Sequence, residues 1–561
     1  MLLVIYEPES IVKIQHNVVY LSITKRKITM TEYHGITVDL TRDELFDELG
    51  IKRLKESYMK PEENSPQERF AYVSNAFSTN KAHARRLYDY SSKHWLSYST
   101  PILSFGRSKN GLPISCFLTF VPDTSEGLVE SYSEVSWLSM MGGGVGLGMG
   151  MRAAGDKSTG VMPHLKTYDA SSMAYRQGST RRGSYAAYLD ISHPDIIQFL
   201  EMRKPTGDVN QRCLNLHHGI NVSDKFMQII EQCMIDPMAS DDWELIDPAS
   251  GEVREVVSAR YLWQTIIELR MMTGEPYLHF IDTSNRALPE FQKKMGLSIK
   301  QSNLCSEITL VSDRERTAVC CLSSLNLEKY DEWKNDTLFI RDVAEMLDNV
   351  LQYFIDNAPD TISRARFSAM RERSIGIGEL GFHAYLQQHN VPFESAMAKS
   401  INNRIFKSVK DQLDAANLAL GKERGEAPDA IGTGKRFSHM TAVAPNACQS
   451  KDNIIRTVNG NISMADLLTA GGVDIASIES LGMKEWIDLK TPVVVPTLDG
   501  NREVTKVWYN GVEPVVEIEF EDGKTYKYTK NHKLLVNRNG VTEWVMVGDL
   551  TGDEDIVDVG R

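Results

Sequence analysis

Residues 301–308 read Gln-Ser-Asn-Leu-Cys-Ser-Glu-Ile. An amide, a thiol and a carboxylate recur at 303, 305 and 307. On an extended loop or strand successive side chains alternate sides, so the spacing predicts Asn303, Cys305 and Glu307 on one side. Such a trio could hold a hydroxyl, abstract an atom and move a proton. The bland alternative is a buried structural cysteine beside surface polar residues, and spacing taken alone favours it. Further out, Cys116 sits in GLPISCFL (111–118), and Cys320-Cys321 opens CCLSSLNL (320–327). Both settings are apolar, where a cysteine commonly serves as a small core residue.

The rest of the chain sets bounds. Of 561 residues, 42% are apolar and 24% charged. That balance excludes disorder, collagen and a coiled-coil rod for the whole chain. The net charge of −13 gives no field that attracts nucleic acid. Glu7 and Glu9 interrupt what would be the apolar run of a signal peptide. No run of about 18 apolar residues occurs. The nearest, Val135 to Met151, holds six glycines, which suits a turn. The expected setting is soluble and cytoplasmic, in a bacterium or a phage-infected host, with no membrane partner. Seven cysteines show no C-x2-C spacing, so no residue is assigned to a metal.

Residues 1–75 are charged and mostly helical in pattern. From 76 to 447 helices alternate with short apolar strands, which argues α/β. One helix is expected after Asp342 as N-cap, because Val343, Met346, Leu347, Val350, Leu351 and Phe354 recur at helical spacing. From Thr491 onward the chain reads as short strands. Val516, Ile518 and Phe520 alternate with Glu517 and Glu519, Asp522-Gly523 supplies a turn, and a second run reaches Thr529. Residues 448–561 hold 12 Lys/Arg and 19 Asp/Glu, or −7, which leaves −6 for the other 447 residues. A domain boundary is placed at 448.

Several motifs in order resemble one family. NLCSE (303–307), VCCLSSLNL (319–327), STPILS (99–104), LPISCFL (112–118), GGGVG (142–146), QGSTRRGS (177–184) and SIGIGELGFH (374–383) are similar to the large, catalytic subunit of ribonucleotide reductase. The resemblance implies a ten-stranded α/β barrel, here incomplete, behind an N-terminal helical region. It implies that Cys305 becomes a thiyl radical that takes the 3′ hydrogen of the ribose. Glu307 resembles the base at the 3′ hydroxyl, and Asn303 its hydrogen-bond partner. Cys116 and Cys320 resemble the two-electron dithiol. Cys321 is read as packing, and its adjacency leaves open which sulfur faces Cys116. Thr100, Ser115 and Gly144 fall where the family contacts substrate, the glycines permitting close backbone approach. Asp123 and Arg152 match the effector site, and Gln177 and Arg181 the specificity loop. Nothing is expected to bind as a resident cofactor. The expected accessories are deoxynucleotide or ATP effectors and thioredoxin or glutaredoxin as reductant. The radical would come from a metal-containing small subunit (class I), with adenosylcobalamin as the second choice. The N-terminus is too short for the family's ATP cone.

TAVAPNA (441–447) resembles the start of the family's phosphate loop, with Pro445 and Asn446 as substrate contacts. Cys448 then breaks the motif. YKYTKNHKLLV (526–536) and WVMVGDLTGDEDIV (544–557) are similar to blocks of an intein, an all-β Hint fold. The resemblance implies that Cys448 attacks the carbonyl of Ala447, with Thr529 and His532 at the scissile bond. The chain reaches Arg561 without an intein's closing Asn. The reading is therefore a partial, N-terminal split-intein fragment at 448–561. A complementary, basic fragment carrying the remaining reductase is expected as partner, with a homodimer after splicing. The reductase, an oxidoreductase acting on CH or CH2 groups with a disulfide as acceptor, would be inactive until then. The alternatives are a cleavage-only autoprocessing protein with a nucleotide-binding remnant, and the leading part of a continuous intein-bearing reductase.

Overall fold

The computed structural model describes residues 30–443, apart from 47, 109–110, 176–182 and 205, and, beyond them, strands lying between 454 and 556. Contacts divide the chain into two compact units, with the division between Ala444 and Pro445.

The first described element is a hairpin, not a helix. Met30–Tyr33 (β1) pairs antiparallel with Ile36–Asp39 (β2). His34 and Gly35 both take positive φ, 47° and 77°, the turn geometry that suits a two-residue hairpin. Ile36 and Val38 are buried while Thr37 is exposed. That two-residue period is too short to register in a segment read as helical. Helices Glu48–Ser57, Pro66–Ala76 and Lys81–Ser92 follow. The second starts on Ser65, whose side chain and that of Glu68 cap each other's backbone, with Pro66 at the first helical position.

The main sheet has eight strands among the described residues, against ten in a complete barrel of the expected kind. In chain order its strands are Leu96–Tyr98 (β3), Cys116–Pro122 (β4), Gly144–Gly150 (β5), Ser184–Asp190 (β6) and His217–Val222 (β7). A side hairpin of Asp242–Ile246 (β8) and Val253–Ser258 (β9) intervenes. Tyr277–Phe280 (β10), Thr317–Asn326 (β11) and Ile375–Leu380 (β12) complete it. The order is β10-β7-β6-β5-β4-β11-β12. From β10 to β4 every pair is parallel, joined by helices such as Ser125–Met140 and Val161–Ala174. β11 runs antiparallel to β4 and parallel to β12. β3 pairs with the far half of β11, on the β4 edge. Beyond β12 the chain returns beside it: Ile377 donates to Met440 O at 2.8 Å, and Ile377 bridges Thr441.

The two faces of this sheet differ in residue size. Phe117, Val121, Val145, Leu147, Tyr185, Leu189, Ile220, Val319 and Ile375 face the helices and join the principal core. The register brings Gly144, Gly146 and Gly148 of β5 beside Cys116, Leu118 and Phe120 of β4 on the opposite face. Small residues there leave room for a chain segment to cross. Helix Phe339–Asn357 seals the large-residue side. Its Val343, Met346, Leu347, Val350, Leu351 and Phe354 are wholly buried, each contributing about 2 kcal/mol. Asp342 is not its N-cap. The helix begins three residues earlier, where Asp336 accepts from Leu338 N and Phe339 N. Asp342 is instead turned inward to Arg86.

In the second unit the described strands are hairpins. Glu485–Thr497 pairs with Gly500–Tyr509, and Lys533–Arg538 with Val541–Met546, all antiparallel. Val515–Glu519 pairs with Thr525–Thr529, the hairpin expected around Asp522-Gly523.

Candidate active site

The segment 301–308 crosses the small-residue face of the sheet. A Cβ on Gly146 would stand 1.9 Å from Ser302 O, and one on Gly148 would stand 2.4 Å from Gln301 Oε1. Gly146, one of the glycines expected to admit a ligand, therefore admits the protein's own loop, as does Gly148 two residues on. Tyr188 of β6 anchors it from below, donating to Asn303 O at 2.7 Å. The loop is not extended, so the alternation argument fails. It turns at Leu304–Ser306, with Ser306 at φ 65°. Asn303 is the cause. Its Oδ1 accepts from Glu307 N and Ile308 N, both at 3.0 Å, folding the chain back on itself. Asn303 is thereby buried, while Cys305 at the tip is exposed.

Cys116 and Cys320 are register partners across β4 and β11. Both are buried in one small cluster with Leu118, Ile308, Leu310, Ala318 and Ala442. Cys321 points the other way into the principal core, its thiol 3.5 Å from Leu347 O. Strand alternation thus separates the two adjacent cysteines and leaves Cys320 opposite Cys116. Burial pushes the Cys320 thiol well up, and Cys321, Cys116 and Glu307 add to the effect. Glu307 Oε2 is buried without a hydrogen-bond partner. Tyr277 of β10, unnoticed in the sequence, also belongs here. Its hydroxyl is pushed up to about 12, first by burial, then by Glu275 and Cys305. Only the register of β10 on β7, which sets Tyr277 against Gly219, brings it to this face.

Residues 114–442 match the family described as ribonucleotide reductase, barrel domain, and residues 44–111 match ribonucleotide reductase, all-alpha domain. The chain belongs to the ribonucleotide reductase large-subunit family. It is 54% identical over 463 residues to the ribonucleoside-diphosphate reductase large subunit of Invertebrate iridescent virus 3, covering 74% of each chain. The same-named protein of Invertebrate iridescent virus 6 is 34% identical over 754 residues, covering 74% of this chain and 78% of the relative. Among solved structures, the Actinobacillus ureae class Id ribonucleotide reductase alpha subunit is similar with a TM-score of 0.63 at 29% identity, covering 72% of both chains. Neither sequence relative is bacterial, so the expected bacterial host draws no support from them. No helix among the described residues is long and apolar enough to cross a membrane.

Within this reductase barrel the other expected positions fall as follows. Ser115 O accepts from Gly144 N at 2.6 Å, which sets both beside Cys116. Thr100 starts the short helix Thr100–Leu103 after β3, its hydroxyl 3.5 Å from Tyr58 OH. Asp123 and Arg152 come together past the ends of β4 and β5, with Arg152 Nε donating to Asp123 Oδ2 at 2.6 Å. Gln177, Arg181, Pro445, Asn446, Ala447, Cys448 and His532 lie outside the described residues. Thr529 ends a strand, opposite Val515. One His/carboxylate cluster, His83–Asp342–Glu345, has metal-like spacing among the described residues. Its groups are already committed. Thr79 N donates to His83 Nδ1, His83 Nε2 meets Asp342 O, Arg86 and Tyr90 hold Asp342, and Arg424 holds Glu345. Its carboxylates are thus paired with arginines, an ion-pair network that needs no cation to balance it.

Proposed function

We infer that this chain is the N-terminal portion of a ribonucleoside-diphosphate reductase large subunit, joined at residue 448 to half of a split intein. The carrying observation is the register of Cys116 on Cys320 beneath the loop that presents Cys305 and Glu307. In the proposed reaction Cys305, as a thiyl radical, takes the 3′ hydrogen and returns it at the end of the cycle, which regenerates the radical. Glu307 moves the 3′ hydroxyl proton, and the substrate's 2′ hydroxyl leaves as water. Cys116 and Cys320 supply two electrons and two protons and close to a disulfide. Asn303 shapes the loop as well as facing substrate. Thr100, Ser115, Gly144, Pro445 and Asn446 would contact substrate, and Asp123, Arg152, Gln177 and Arg181 would report the effector. A class I small subunit would provide the radical, thioredoxin or glutaredoxin would reopen the disulfide, and the joined subunit would dimerise. The domain organisation proposed is 1–75, 76–447 and 448–561, in a cytoplasmic setting.

The test is selective oxidation. Directly opposed strand residues have Cα atoms about 4.5–5.5 Å apart, inside the disulfide range. Mild diamide treatment should cross-link Cys116 to Cys320. Cys321→Ala should leave the cross-link and Cys320→Ala should abolish it. A Cys116–Cys321 product would overturn the assignment.

The splicing half of the proposal draws on the second unit, whose described strands are antiparallel throughout, in keeping with an all-β fragment. Cys448 would form a thioester with Ala447. Hydroxylamine should therefore cleave the isolated chain after residue 447, and Cys448→Ala should resist. Equal cleavage of both would remove the splicing assignment.

A further inference from the structure

A cavity of about 590 Å³ opens at the C-terminal ends of β4, β5, β6 and β7, away from Cys116, which starts β4. Neither Asp123 nor Arg152 lines it. In open α/β sheets this end of the strands is where ligands bind.

Its floor is Asp190, the last residue of β6. Asn221 Nδ2 donates to Asp190 Oδ1 and to Lys300 O, each at 2.8 Å. Asp190 Oδ2 takes no hydrogen bond from any described residue. Asp190 is exposed, open to the cavity, and its carboxyl pKa is raised by desolvation, with Asn221 pulling the other way. An acceptor left open in this way can take a donor from a ligand. The walls are aromatic: Trp243, itself nearly buried, and Phe120. Each carries a cation, Lys225 Nζ 5.7 Å from the Trp243 ring centre and Lys300 Nζ 5.9 Å from that of Phe120. Glu244 is the other carboxylate in the lining, so two lysines face two carboxylates.

We propose that this cavity is a second nucleotide site, taking an amino-bearing nucleoside monophosphate. The exocyclic amine would donate to Asp190, the base would lie along Trp243 and Phe120, and the phosphate would meet Lys225 and Lys300. Two lysines balanced by two carboxylates suit a monophosphate better than a triphosphate. The site bears on the reductase loop directly. Asn221 holds Lys300 O, and Tyr188, also in the lining, holds Asn303 O; both contacts lie within five residues of Cys305.

The test is calorimetric titration of AMP and of adenosine into the 561-residue chain. Asp190→Asn should weaken both by about tenfold or more, the loss of one charge-assisted hydrogen bond. Lys225→Ala should weaken AMP by about fivefold and leave adenosine unchanged, a contrast that survives even if Asp190→Asn fails to fold. Asp123→Ala should leave AMP binding as it was. Three results would overturn the proposal: no AMP binding at millimolar concentration, loss of binding in Asp123→Ala instead, or equal effects of Lys225→Ala on AMP and adenosine.

Discussion

Gly146 shows how one missing Cβ places a reactive thiol. Ser302 O and Asn303 Cα would lie 1.9 Å and 2.8 Å from an added methyl, and both are backbone atoms that no side-chain rotation can move. Gly146→Ala should therefore push the Cys305 loop off β5 and cost about 2 kcal/mol in urea unfolding, as overpacking typically does. Gly155→Ala is the control. Nothing lies within 4 Å of its added Cβ, so its stability should stay within about 0.5 kcal/mol of the parent. Equal stability of the two variants would mean that the loop does not rest on β5. The same scale explains the two neighbouring cysteines, which alternation along β11 sends to opposite faces.

At the scale of elements, helix Phe339–Asn357 joins the N-terminal helices to the barrel through Asp342. Its carboxylate is wholly buried and takes Arg86 Nε at 2.5 Å, Arg86 Nη2 at 2.9 Å and Tyr90 OH at 3.1 Å. Asp342→Asn keeps the shape but removes the counter-charge of a guanidinium that is 36% exposed to water, so a loss of about 1.5 kcal/mol is expected in thermal or urea unfolding. Arg86→Met together with Asp342→Leu should recover much of it, because an apolar pair needs no desolvation. If the single variant is as stable as the parent, the ion pair is not what joins helix Lys81–Ser92 to this one.

At the scale of the whole unit, Glu379 subtracts stability as pH rises toward neutrality, while the buried His279 and His439, held down to about 4, add it over the same range. Burial pushes Glu379 of β12 up to about 7 from an ordinary 4.5. Between those values the folded chain holds a proton that the unfolded chain has released, so each step up in pH favours unfolding. The contribution is fully present below about 4.5 and is lost as pH passes about 7, on the order of 3 kcal/mol for this group. Glu372 is raised to about 7 in the same direction, first by burial and against the pull of Arg316. Urea midpoints for Glu379→Gln should lose that share of the slope between pH 4.5 and 7.5. An unchanged slope would show that Glu379 ionises as it does in water.

What could be read from the chain without coordinates was whatever depends on near neighbours. The apolar spacing of 343–354 is a local property, and so is the hairpin around Asp522-Gly523; both elements are found. The motifs around Cys305, Cys116 and Cys320 sufficed to identify the family because their order along the chain is itself sequence information. Folding alone settled what depends on distant partners. The resemblance already favoured Cys320 over Cys321, and the register of β11 on β4 is what sets Cys320 opposite Cys116. Asp342 was mistaken for a cap because Arg86 lies 256 residues away. The bend at Cys305 followed from an Asn303 side chain that prefers its own backbone amides to an extended course. Tyr277 stayed invisible because nothing in its surroundings along the chain hints that β10 will lie beside β7.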